Sequence, residues 1–307
     1  MKYAVLGAGA MGAVVGGFLA RGGHDVELWD VNQPHIDAIN ARGLTMDLPT
    51  GTEQIKVPAC RPEEGGKADA ILVLTKTLHT QPALASIKPH IERGASVLGL
   101  QNGLGNAETL AAQVPEDQCL IGITKMPGRY HGPGHVSTQG TGSTIFRALS
   151  DAGIERAKQI ATEVPGLSMI HDQNGAEVII WQKAAFNCAM NAITALQGGT
   201  VGDLAQNADG VALAKETASE VVAVANAKGV GLAAAAAYEQ IDWALANHGP
   251  HKPSMLQDME AGRATEIEAL CGEVSRQAAK LGVKTPINDT LAVLVRLKSS
   301  VQRERNA

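Results

Sequence analysis

The chain has little of what staples, spans or coats. Its four cysteines (Cys60, Cys119, Cys188 and Cys271) are scattered and form no C-x-x-C pair. That excludes a disulfide framework and a cysteine zinc site, and it reads as reduced thiols of a cytoplasmic protein. No segment reaches about 18 uninterrupted apolar residues, so no membrane span is expected. The N-terminal apolar stretch is broken by glycines and has no basic n-region, unlike a signal peptide. Charged residues make up only 19% and the net charge is -5, which gives nucleic acid or an anionic membrane nothing to grip. Aromatics are 3%; alanine and glycine take their place and suit close-packed helices and tight turns. His131/His135 and His248/His251 straddle Gly-Pro turns rather than helical i,i+4 positions, so no metal site is expected.

What is present is a cored globular chain, 45% hydrophobic over 307 residues, long enough for two domains. Short apolar runs at 2–6, 26–29, 70–75, 95–100 and 119–124 alternate with helical or turn-rich stretches. Such spacing predicts a parallel sheet with helices on both faces. Weaker runs at 134–137 and 143–146 are expected to extend that sheet at one edge. From about residue 170 helical periodicity replaces the strand signal, with helices over 175–196, 204–228 and 233–246. A long helix is expected from Ser254 to the stop at Gly282, and Pro286 opens a last one. The expected architecture is α/β: a Rossmann-type parallel-sheet domain over 1–170, then an all-helical domain over 171–307.

Gly7-Ala8-Gly9-Ala10-Met11-Gly12 follows the first strand and opens a helix, and Asp30 ends the next strand. A G-x-G-x-x-G turn alone is a weak signal, but this context is that of a dinucleotide-binding loop. Gly7 permits the tight turn, Gly9 lets the backbone approach a pyrophosphate, and Gly12 lets helix pack on strand. The helix N-terminus at Ala10 and Met11 faces the phosphate charge. Asp30 is placed to accept hydrogen bonds from ribose hydroxyls, although a strand-end aspartate also caps turns. Val31, Asn32 and Gln33 bring no cation to offset a 2′-phosphate, so NAD is expected over NADP. Lys76 and Asn102 follow later strands, where ligands of open parallel sheets bind; each is equally readable as surface decoration.

In the helical half, Lys183, Asn187 and Asn191 recur every four residues and share one helix face among apolar neighbours. A lysine so placed can give or take a proton; a polar stripe at a domain seam is the alternative. Cys188 lies off that face, as a packing residue. Glu266, in a charged stretch, is a candidate partner for a lysine, or part of a salt-bridged surface.

With these pieces in order, the sequence resembles the ketopantoate reductase family over nearly its whole length. The resemblance rests on GAGAMG, LTK ending at Lys76, QNG at 101–103, and W-x-K-x-x-x-N-x-x-x-N-x-x-T from Trp181. PSMLQD from Pro253 and TEIE at 265–268 complete it. It implies substrate in a cleft between a Rossmann and a helical domain, and reduction of a 2-oxo acid to the D-2-hydroxy acid. It further implies Lys183 as general acid and Glu266 as binder of the forming hydroxyl. Asn187, Asn191 and Asn102 would orient substrate, Ser254 would contact its carboxylate, and Lys76 and Asn102 would lie beside the nicotinamide. Three features depart from the usual pattern: Asp30, Val201-Gly202-Asp203 and His251. They are similar to an NAD-dependent D-2-hydroxyacid (D-mandelate type) dehydrogenase branch. Open alternatives are a dehydrogenase of another carbonyl or imine, and a non-catalytic NAD-binding protein. The expected partner is a small 2-oxo acid, with no nucleic acid and no membrane, and a homodimer is expected.

Overall fold

The run KYAVL forms a strand with all but its first residue buried, as a strand covered on both faces must be. In the computed structural model, which describes residues 1–306, the strands follow in chain order. They are β1 (Lys2–Leu6), β2 (Asp25–Trp29), β3 (Leu44–Leu48), β4 (Gly51–Ile55), β5 (Ala59–Cys60), β6 (Ala70–Val73) and β7 (Ser96–Gly99). After them come β8 (Cys119–Thr124), β9 (Arg129–Gly132), β10 (His135–Ser137), β11 (Gly142–Ala148), β12 (Thr162–Val164) and β13 (Leu167–His171). The chain divides into two compact units. One holds Met1–Gln101 and Asn106–Ala176; the other holds Asn102–Gly105 and the residues from Glu177 onward.

The first unit is α/β, with helices α1 (Ala10–Arg21), α2 (Gln33–Arg42), α3 (Thr80–Ser86), α4 (Lys88–Glu92), α5 (Asn106–Ala111) and α6 (Ile154–Ile160). Its nine-stranded sheet has the order β12-β13-β11-β8-β7-β6-β1-β2-β5. From β5 to β8 every neighbouring pair is parallel. Side chains alternate along β1: Tyr3 and Val5 join a core with α1 and α6, while Ala4 and Leu6 join a core with α3, α4 and α5. The chain passes from β1 to β2 on one side and resumes at β6 on the other. The loop after β1 therefore opens at the point where strand order reverses, which is where ligands of such sheets sit.

Of the two weaker runs, 143–146 extends the sheet beyond β8 as expected: it lies in β11, which runs antiparallel to β8 and is followed outward by β13 and β12. The other needs correction, because β10 is not in the large sheet at all. It belongs to a four-stranded sheet, β4-β3-β10-β9, built on the β3–β4 hairpin. Too short and too polar to carry a periodic signal, β9 and β12 surface only through pairing.

The second unit is helical: α7 (Ala176–Gln197), α8 (Val201–Ala205), α9 (Ala208–Ala227), α10 (Ala234–Asn247), α11 (Ser254–Glu260), α12 (Cys271–Leu281) and α13 (Pro286–Asn306). Its core is rich in alanine, including Ala185, Ala189, Ala192, Ala214, Ala218 and Ala225, all fully buried. Small side chains let the helices approach closely, with Trp181 the large side chain buried among them. The long helix expected from Ser254 to Gly282 is broken. It stops at Glu260, because Gly262 takes a left-handed φ of 65° and Arg263 folds back to pair with Asp258 at 2.9 Å. The expected 204–228 helix likewise splits at Asn207, whose side chain caps α9 by accepting from Gly210 N–H at 2.8 Å. Among the described residues no helix is long and apolar enough to cross a membrane.

His35 on α2, only 1% exposed, ties the first unit's loops together. Its Nδ1 accepts from Gly134 N–H at 2.9 Å, so Nε2 carries the proton and donates to the Ala8 carbonyl at 2.8 Å. Both bonds need the neutral ring. Burial pushes the imidazole pKa below its usual 6.5, outweighing the Ala8 contact and the Asp30 charge, which pull it up. Below pH 6.5 the unfolded chain binds a proton that the folded ring refuses. Stability carried by His35 is therefore complete above 6.5 and is lost as pH falls from there towards the lower folded pKa. Replacing His35 by Ala strands a buried carbonyl and a buried N–H and should cost about 2–4 kcal/mol at pH 7.5. Thermal melts should show this deficit shrinking by pH 5; a deficit unchanged with pH would contradict the neutral-ring assignment.

Candidate active site

The glycine loop of the first unit, the candidate dinucleotide site, is built by close packing of backbone. Gly7 has φ 92°, and a Cβ there would lie 2.7 Å from Thr75 N. A Cβ on Gly12 would run into the Gly7 carbonyl, whereas one on Gly9 would meet nothing within 4 Å. Gly7 and Gly12 are thus required by the fold, and Gly9 keeps the outer surface of the turn bare. α1 has Gly9 at its N-cap with no side-chain cap, and its first intrahelical bond runs from Ala13 N–H to Gly9 O at 2.9 Å. The N–H groups of Ala10, Met11 and Gly12 precede that bond and, with no acidic residue in the first turn, point their positive ends outward. This cradle suits a pyrophosphate.

Strand register sets the other candidates beside it. Leu6 pairs with both Trp29 and Val73, and Val73 pairs with Gly99, so β1, β2, β6 and β7 end level with one another. Gly7, Asp30 and Lys76 all belong to segments leaving that edge. Half-buried Asp30 uses Oδ1 to accept from Asn32 N–H at 2.9 Å, a turn cap as anticipated for a strand-end aspartate. Cap and ribose acceptor are compatible, since a carboxylate has two oxygens. Lys76 is half-buried and immediately precedes a short 3-10 turn, Thr77–His79. Gln101, just past β7, donates to Thr80 Oγ1 at the start of α3 at 2.7 Å and, more weakly, to Thr75 Oγ1 just past β6 at 3.4 Å.

Two residues of this region escape a linear reading. His35 holds the loop through the Ala8 carbonyl. Arg61 follows β5 and touches the turn after Asp30, donating to Val31 O at 3.4 Å and Gln33 Oε1 at 3.3 Å. Neither sits in a motif. A buried polar residue one turn into the helix after Asp30 was the available signal for His35; Arg61 had none.

In the second unit α7 carries the polar stripe. Asn187 and Asn191 are buried at 8% exposure and Lys183 is half-buried, while Ala184, Cys188 and Met190 beside them enter the core. No hydrogen bond among the described residues engages either asparagine side-chain amide. Buried amides normally find partners, so this pair offers donors and acceptors to a bound molecule. Burial pushes the Cys188 thiol well up, with the Cys271 thiol adding to the shift, which keeps it an inert packing group.

Glu266 stands in the loop after α11, not on a helix as expected, and leads into a 3-10 turn, Ile267–Ala269. The break comes from the Gly262 turn described above. That 3-10 turn is gripped by Asn102–Gly105: Leu104 N–H donates to the Ala269 carbonyl at 2.7 Å, and Gly103, φ 88°, leaves no room for a Cβ beside Ala269. Cys271 Sγ–H lies 3.9 Å from the Cys188 carbonyl, fastening the start of α12 to α7 next to Asn187. Leu104, Cys188, Met255, Ile267 and Cys271 share one core. The segments bearing Asn102, Asn187, Ser254 and Glu266 are thus all packed on a single framework. Of the two acids in TEIE, Glu268 is committed elsewhere, to Arg296 and Arg276, and the Arg296 contact leads in holding its carboxyl below the usual range. Ser254, the first residue of α11, is exposed. Among the described residues no cluster of His, Cys, Asp or Glu could hold a metal.

The chain matches the ketopantoate reductase PanE/ApbA model over residues 3–151 and the matching C-terminal model over 176–299. The 2-dehydropantoate 2-reductase of Streptococcus pyogenes serotype M3 is 33% identical over 307 residues, spanning 98% of this chain and 99% of the relative. That of Halobacterium salinarum is 33% identical over 97% of this chain and 98% of its own. Among solved structures, D-mandelate dehydrogenase with NADH and anilino(oxo)acetate superposes with a TM-score of 0.92 at 29% identity, covering 98% of this chain and 99% of that one. The PanE/ApbA family ketopantoate reductase of Ralstonia eutropha JMP134 gives 0.88 at 33% identity, over 99% and 100%. An end-to-end match in both halves, on a fold with the dinucleotide loop at its switch point, leaves one conclusion: this chain belongs to the ketopantoate reductase family.

Proposed function

We propose that this protein reduces a 2-oxo acid to the D-2-hydroxy acid with a reduced nicotinamide dinucleotide, as a 2-dehydropantoate 2-reductase. By family it is an oxidoreductase acting on the CH–OH group. The observation that carries the reading is the α7 stripe: two buried asparagine amides in line with a lysine, inside an alanine core that has no structural need of them.

When bound, the dinucleotide supplies a hydride to the substrate carbonyl carbon. Negative charge then builds on the carbonyl oxygen, and a positioned cation is the efficient way to meet it. The Lys183 ammonium donates a proton to that oxygen, completing the hydroxyl, and the neutral amine recovers its proton from solvent. Glu266 accepts a hydrogen bond from the new hydroxyl and orients Lys183. Asn187, Asn191 and Asn102 hold the substrate's polar atoms, and the Ser254 hydroxyl meets its carboxylate. On the cofactor side, Gly7, Gly9 and Gly12 shape the cradle, and the N–H groups of Ala10, Met11 and Gly12 take the pyrophosphate. Asp30 accepts from the adenosine ribose and repels a 2′-phosphate, and Lys76 lies towards the nicotinamide end. NADH is accordingly the better reductant. The substrate's side chain is 2-dehydropantoate's or that of another bulky 2-oxo acid. Asp30 and the likeness to a mandelate dehydrogenase solved with NADH favour keeping an aryl 2-oxo acid in view.

Lys183→Ala should lower kcat by about 10²–10⁴-fold, the usual value of one positioned proton donor, while calorimetry finds NADH binding nearly intact. Persisting turnover would rule out the mechanism. An NADH-oxidation screen with 2-dehydropantoate, 2-oxoisovalerate, benzoylformate and smaller 2-oxo acids should single out a bulky acid. NADH should exceed NADPH in kcat/KM with that substrate; equal values would remove Asp30 as the discriminating group.

A further inference from the structure

The turn that follows Asp30 is touched by a cation that local sequence does not provide. β5 runs parallel to β2, with Leu28 opposite Ala59 and Trp29 opposite Cys60, so Arg61 takes the next register position, opposite Asp30. The Asp30 N–H donates to the Cys60 carbonyl at 3.1 Å, which fixes the two backbones side by side. Pro62 keeps Arg61 extended, at φ -70° and ψ 148°, and its backbone N–H is taken by the Glu64 carboxylate at 3.3 Å. The backbone is thus pinned on both sides, and the side chain runs along the turn that follows Asp30. Nη2 donates to Val31 O at 3.4 Å and Nε to Gln33 Oε1 at 3.3 Å. Both contacts are long, and they engage only two of the five guanidinium donors. Among the described residues no carboxylate forms an ion pair with this guanidinium.

We propose that Arg61 is a specificity-determining residue for the cofactor, set beside Asp30 to receive a phosphate on the adenosine 2′-oxygen. This rests on the dinucleotide reading above. The residues Arg61 touches, Val31 and Gln33, line the turn that begins at the ribose acceptor, so a 2′-phosphate would meet both groups. Asp30 opposes it and Arg61 attracts it, because the two side chains carry charges of opposite sign. A planar fork with unused donors is the side chain best suited to a phosphate. The site therefore tolerates NADP more than Asp30 alone would allow, and removing Asp30 leaves an NADP site with its cation already in place.

Calorimetric titration of NAD⁺ and NADP⁺ into the full chain tests this. Arg61→Ala should weaken NADP⁺ about tenfold more than NAD⁺, the value of a charge-assisted hydrogen bond, and Arg61→Lys should restore part of the loss. Asp30→Asn should tighten NADP⁺ by about tenfold or more through loss of like-charge repulsion, and the Asp30→Asn/Arg61→Ala double variant should bind it about tenfold more weakly than Asp30→Asn does. Equal weakening of both dinucleotides by Arg61→Ala, or a double variant that binds NADP⁺ as tightly as Asp30→Asn, would overturn the proposal. So would NADP⁺ binding too weak to detect in Asp30→Asn. Binding of neither dinucleotide to the wild-type chain would instead overturn the dinucleotide reading itself. Should Arg61→Ala fold poorly, Arg61→Gln, which keeps the stem and one planar donor group, reports the same difference.

Discussion

Everything the first unit can offer a dinucleotide depends on how closely backbone packs between β1 and α1. A side chain at Gly12 would collide with the Gly7 carbonyl, and one at Gly7 would strike Thr75 at the end of β6. Only with both positions bare can α1 start where its unpaired N–H groups face the sheet's switch point. The loop's shape is then held from behind. His35 spends both ring nitrogens on backbone, one on Ala8 inside the loop and one on Gly134 in the turn between β9 and β10. A neutral imidazole holds its donor and its acceptor on separate ring atoms of a single rigid plane, which fixes both backbone segments at once.

The surroundings of Asp30 follow from strand pairing. Its neighbours in sequence, Val31, Asn32 and Gln33, bring no cation. Pairing of β2 with β5 places Arg61 against the turn they form. On the proposed reading, opposite charges around one ribose would grade a cofactor preference rather than fix it.

The second unit solves a different problem, keeping polar groups inside an apolar helix bundle. α7 is buried nearly all round, and alanines allow its neighbours close. Asn187 and Asn191 are largely buried there with no protein partner for their amides among the described residues, which leaves those groups to water or to a ligand. The segments around them are tightly tied: Asn102–Gly105 onto the 3-10 turn after Glu266, and Cys271 onto α7. Such a framework limits how far the groups can drift, which a proton transfer over hydrogen-bond distance requires.

The amino-acid sequence determined the α/β-then-helical order, the dinucleotide loop and the α7 stripe. Each is encoded within one turn or one helical repeat, where glycine sterics and i,i+4 spacing act locally. It did not determine where β9, β10 and β12 go, because short polar strands are stabilised by partners and not by their own pattern. Nor did periodicity show the break after Glu260, since the Gly262 turn competes with a continuous apolar face and wins only with Arg263 folded onto Asp258. Tertiary structure alone decided that Glu266 sits on a loop, that His35 braces the glycine turn, and that Arg61 stands beside Asp30. In each case the partners are far apart in sequence or meet only when the chain folds back, and pairing geometry, not composition, brings them together.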